Sequence, residues 1–109
     1  MDNKFSWSRS AALVNGALIK ATPGVVYLGR VTYTGIVSPI YLQFHNVAAI
    51  PANGQVPFLS YQIAGSWFDN FDPIRGLEFD TGIYVCLSTT AETKTLATDT
   101  ATLFYLQYL

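Results

Sequence analysis

The chain has 109 residues, of which 50% are apolar, 15% aromatic and only 12% charged, and its formal net charge is −1. That length supports one hydrophobic core and not two, and the composition is the reverse of the charge-rich, apolar-poor signature of disorder. The six basic residues Lys4, Arg9, Lys20, Arg30, Arg75 and Lys94 are scattered, which argues against a phosphate-binding patch for nucleic acid, and no apolar run approaches the ~18 residues of a membrane span.

The first residues, M-D-N-K-F-S-W-S-R-S, lack the apolar core of a signal peptide, so the protein is expected to be made in a cytoplasm. Ser8 to Val14 is the one stretch with helical potential, and it runs straight into the turn dipeptide Asn15-Gly16. Residues 1–15 therefore read as an N-terminal arm, and 16–109 as a single domain.

From residue 16 onward, short runs rich in β-branched and aromatic residues are bounded by Gly, Pro, Asn and Asp. Strands are predicted near 17–21, 25–34, 38–45, 55–63, 75–79, 82–88 and 102–108. About seven short strands without crossover helices specify an all-β fold, a single antiparallel sandwich of jelly-roll-like or Ig-like type.

In I-Y-L-Q-F-H, Ile40, Leu42 and Phe44 share one face and Tyr41, Gln43 and His45 the other, so the first face is assigned to the core and His45 to a wetter, hydrogen-bonded face. The segment A-I-P-A-N-G-Q-V-P reads as a connector whose Pro57 belongs at a strand edge or start. Next comes G-S-W-F-D-N-F-D-P, read as a loop in which Trp67, Phe68 and Phe71 sit on turn-forming backbone. They either cap the sandwich or form a contact surface, and Trp67 with Asp69 and Asn70 is the candidate place for a glycan.

Arg75 to Ala91 alternates cleanly, with Leu77, Phe79, Ile83, Val85 and Leu87 on one face and Glu78, Asp80, Tyr84, Cys86 and Ser88 on the other. Its glycines punctuate it like a β-hairpin. Ser88 to Thr102 is Thr-rich and reads as a long surface loop. The terminal T-L-F-Y-L-Q-Y-L is apolar on both faces, Phe104, Leu106 and Tyr108 on one and Leu103, Tyr105 and Leu109 on the other. Either a central place in the sheet or another subunit covers it. The expected partners are further copies of the chain, as a trimer or higher homo-oligomer. The candidate interface comprises Trp67, Phe68, Phe71, Leu103, Tyr105 and Leu109, with Phe5 and Trp7 of the arm.

No catalytic constellation is legible. Cys86 is the lone cysteine and His45 the lone histidine. Glu78 and Asp80 share a strand face as solvated charges, without a pattern that would make them a glycosidase pair, and Asp69, Asn70 and Asp72 lack the calcium-loop spacing. There is no nucleophile elbow, phosphate loop, zinc motif or dinucleotide fingerprint. A non-enzyme without metal or cofactor is expected.

Residues 38–109 carry a resemblance. V-S-P-I-Y-L-Q-F-H-N, A-I-P-A-N-G-Q-V-P-F-L-S-Y-Q-I-A-G, G-L-E-F-D-T-G-I-Y-V-C-L-S-T-T and the Thr/Asp-rich loop around Thr98 to Thr100 look like the small β-sandwich virion proteins of tailed bacteriophages. The distinctive core is G-x-x-F-x-T-G-I, filled by Gly76, Phe79, Thr81, Gly82 and Ile83. The chain departs from the pattern in its W-F-D-N-F-D-P insertion and in Cys86 and Leu87. The resemblance implies a structural protein of the virion, a capsid decoration or head- or tail-associated component that binds other virion proteins. The rival from another class is a carbohydrate-binding or host-recognition module of a fibre or tail.

Overall fold

The computed structural model describes residues 6–9, 15–33, 40–63, 67–70, 76–97 and 102–109. They form nine strands: β1 (Ser6–Arg9), β2 (Gly16–Lys20), β3 (Gly24–Tyr33), β4 (Ile40–His45), β5 (Leu59–Ile63), β6 (Trp67–Asn70), β7 (Leu77–Phe79), β8 (Ile83–Ser88) and β9 (Thr102–Tyr108). No helix occurs among the described residues, and the fold is an antiparallel β-sandwich as the sequence predicts.

One sheet runs β1-β9-β3-β6, with β7 also on β3; the other runs β2-β8-β4-β5. β6 pairs with Leu28 to Val31 and β7 with Gly24 to Val26, so together they act as one interrupted strand along β3. Eight effective strands in these two orders make the double Greek key of a jelly roll, which settles the jelly-roll against the Ig-like alternative.

The pairing corrects three expectations. Arg75 to Ala91 is not a hairpin: β7 joins β3 in one sheet while β8 lies between β2 and β4 in the other, so the segment turns a corner between sheets. Gly82 sits at that corner. A Cβ there would run into the Val47 carbonyl oxygen and come within 2.8 Å of the Lys20 carbonyl oxygen, so only glycine allows the backbones to close up. Gly76, before β7, has φ +69°, the left-handed region that favours glycine.

Trp67 to Asn70, read as part of a loop, is instead an edge strand. Ser6 to Arg9, in the segment read as an arm, pairs with Tyr105 to Tyr108 of β9. β5 starts only at Leu59, so Pro57 precedes the strand.

The core lies between the sheets. Ile40, Leu42 and Phe44 of β4 and Ile83, Val85 and Leu87 of β8 face Val26, Val31, Phe79, Phe104 and Leu106, as the period-2 pattern requires. β3 obeys that pattern only in halves. Its register against β9 shifts between Val26 and Leu28, so Val26 and Val31, of opposite parity, both reach the core. β9 is central, between β1 and β3, which accounts for part of its apolar character.

Candidate functional site

The largest departure from sequence expectation is on the outer face of β4 and β8. Gln43, His45, Tyr84, Cys86 and Ser88 point away from the sandwich core and yet are buried. They are roofed by the chain that follows β8, which doubles back through a bridge between Ser88 and Leu96. The wetter face expected for His45 is thus closed, and the loop read as surface is in part a lid over a second, polar core.

That polar core is held by few donors. Gln43 Nε2 donates into the carbonyl oxygens of Thr90 (2.9 Å), Thr93 (3.1 Å) and Ala91 (3.3 Å). Ser88 Oγ donates to Thr90 O at 2.8 Å and accepts from the Thr95 amide at 2.9 Å. Gln43 Oε1 can only accept, so His45 Nε2, 3.2 Å away, carries the proton and His45 Nδ1 is the bare nitrogen. Among the described residues nothing hydrogen-bonds to that buried Nδ1. Burial, and then the Lys94 ammonium, lower the His45 pKa to about 4. Burial also pushes Tyr84 up to about 12, and Cys86 up to about 12 against the opposing pull of Lys94.

Lys94 ties this roof to the β4–β5 connection. Only 3% exposed, it sets its ammonium 4.9 Å from the Tyr84 ring centroid and donates to the Pro51 carbonyl oxygen. Backbone bonds extend the seam: Gly54 N to Lys94 O and Lys94 N to Gln55 O, both 2.7 Å, and Leu96 N to Asn53 Oδ1 at 3.1 Å. A buried ammonium costs several kcal/mol unless carbonyl and ring partners surround it, as Pro51 and Tyr84 do here.

The pinned connection presents its apolar side chains outward. Ile50 is 70% exposed, Val56 76% and Phe58 46%. No Asp, Glu, Lys or Arg occurs between Arg30 and Asp69, so this surface is uncharged as well as apolar. From sequence alone the segment reads as a connector. The signal it held was Ile and Val among turn-forming Pro, Asn and Gly in a charge-free stretch.

A cleft of about 650 Å³ opens beside it, at one end of the sandwich. Phe58, Phe79, Val25, Pro23 and Leu109 supply apolar surface, and Lys20, Asn46, Glu78 and Asp80 supply polar groups. Phe58 rests on Phe79 with ring centroids 5.2 Å apart. Asn46 Nδ2 and Thr81 Oγ1 donate to Asp80 Oδ1 at 2.7 and 3.0 Å, holding its carboxyl below the usual range.

Among the interface residues named from sequence, Leu109 and Tyr105 are the two whose burial the structure describes. Leu109 lines this cleft and is partly exposed, whereas Tyr105 is half-buried on β9 in register with Arg9 and Arg30. The backbones of Trp67 and Phe68 oppose Val31 and Arg30, that of Trp7 opposes Gln107 and that of Leu103 opposes Thr32. Phe5 and Phe71 lie outside the described residues. Glu78 and Asp80 are both exposed at the cleft, as solvated charges should be. No group of His, Cys, Asp and Glu suited to a metal ion occurs among the described residues, and no helix there is long and apolar enough to cross a membrane. No protein-family model, curated protein or solved structure matches the chain.

Proposed function

We propose that this chain is a non-enzymatic structural protein of a tailed-bacteriophage particle, a decoration or head- or tail-associated subunit that works by docking to virion proteins and to copies of itself. The observation that carries the reading is the pinned, charge-free β4–β5 connection with Ile50 and Val56 held out in solvent. A loop that is rigid before contact loses little conformational entropy on docking. Covering two such side chains returns about 3–5 kcal/mol, enough to dominate a small interface.

Two further considerations support it. Jelly rolls build capsid shells as well as lectins, an argument by analogy of fold, and residues 38–109 resemble phage virion proteins through G-x-x-F-x-T-G-I. The test is mass spectrometry of particles purified from an infected culture. The chain should be present at many copies per particle, and Ile50→Asp with Val56→Asp should fold normally but be lost from particles. Particles that lack the wild-type chain, or that take up the double variant undiminished, would refute the proposal.

A further inference from the structure

We infer that the cleft between the β2–β3 turn, the β4–β5 connection and β7 is a binding site for a neutral saccharide. Its volume, about 650 Å³, falls in the range of small-ligand clefts and suits a short oligosaccharide. The chemistry of the lining selects among ligands. The Phe58 ring, half in solvent and backed by Phe79, offers a flat apolar platform of the kind on which the C–H face of a pyranose packs.

Around that platform the rim carries both signs, the Lys20 ammonium and the Glu78 and Asp80 carboxylates. An anionic ligand would meet two carboxylates, and a cationic one would meet the ammonium. Sugar hydroxyls both donate and accept, so an uncharged polyol uses all three groups without repulsion from any of them. Asp80 is already oriented by Asn46 and Thr81, so little ordering is left to the ligand at that position. The described lining comes from other elements than the Trp67, Asp69 and Asn70 segment that the sequence suggests for a glycan, whose backbone forms β6.

The experiment titrates the ¹⁵N-labelled protein with maltotriose, cellotriose and triacetylchitotriose, up to about 10 mM so as to reach millimolar affinities. At least one should shift the amides of Val25, Phe58 and Glu78 together. Phe58→Ala should then weaken binding about tenfold through the lost platform. Glu78→Gln, an exposed change that leaves the core untouched, should weaken it several-fold. The inference is overturned if none of the three sugars shifts those amides, if the shifts map elsewhere, or if both variants bind as wild type does. It is also overturned if only sialyllactose, an anionic control, binds. Any of these outcomes leaves incorporation into particles, the test of the proposed function, unaffected.

Discussion

Replacing Gln43 by Met is the sharpest probe of the polar core under the 89–97 lid. The thioether fills similar volume but offers neither amide hydrogen, and only a weak acceptor. Four acceptors surround Nε2, at 2.9, 3.1, 3.3 and 3.5 Å, yet an amide has two hydrogens, so two good bonds are lost and not four. At about 1 kcal/mol each they account for ~2 kcal/mol, and stranding the His45 Nε2–H without its acceptor adds about 1 more. The sum of roughly 3 kcal/mol corresponds to a Tm drop on the order of 12–24 °C for a domain of this size. Urea unfolding gives the free energy directly, and amide hydrogen exchange at Thr93, Lys94 and Thr95 reports whether the lid loosens first. A loss below about 1 kcal/mol with unchanged exchange would show that the lid is held by its backbone seam and not by Gln43.

Two further predictions concern the same core. His45 has a folded pKa near 4 against an unfolded value of 6.5, so its contribution is complete above pH 6.5 and is lost as pH falls from there towards 4. Imidazole NMR should show the native His45 still almost wholly neutral at pH 6, and an apparent pKa of 6.5 would contradict its burial beside Lys94. Cys86, fully buried with its thiol pushed up to about 12, should be inert to a disulfide reagent at pH 8 until the protein is unfolded in urea. Stoichiometric labelling of the native form at mixing speed would place the thiol at the surface instead.

How far the sequence reveals this molecule can be judged strand by strand. Ile40, Leu42, Phe44, Ile83, Val85 and Leu87 announce their burial because alternation is a property of the strand itself. The choice of sheet is not local. A tight turn at Asp80 to Gly82 looks the same whether β7 and β8 pair with each other or turn away to β3 and to β4, and only pairing with segments dozens of residues distant decides it. The bulge near Tyr27 conceals β3 further by flipping parity in mid-strand. β6 is missed because its Asp and Asn have turn chemistry, and the register of β3 overrides it.

The second core is hidden for a related reason. Gln43 and Ser88 look like solvent-facing residues, and their burial depends on a lid whose carbonyls satisfy them. The cleft is partly legible in the sequence: Glu78 and Asp80 share a strand face, while Phe58 and Lys20 join them only through the packing of the two sheets.

The pairing of β1 with β9 governs how the molecule can come into being. Residues 6–9 find their partners only at residues 105–108, and β3 likewise waits for β9 along most of its length. On a ribosome, that sheet cannot close until Tyr108 has left the exit tunnel. Until then β3 exposes an unsatisfied edge to any neighbouring nascent chain. High-level synthesis of this protein is therefore a contest between late closure and premature intermolecular pairing, and a lower expression level, which thins out neighbouring nascent chains, should tilt it towards the folded product.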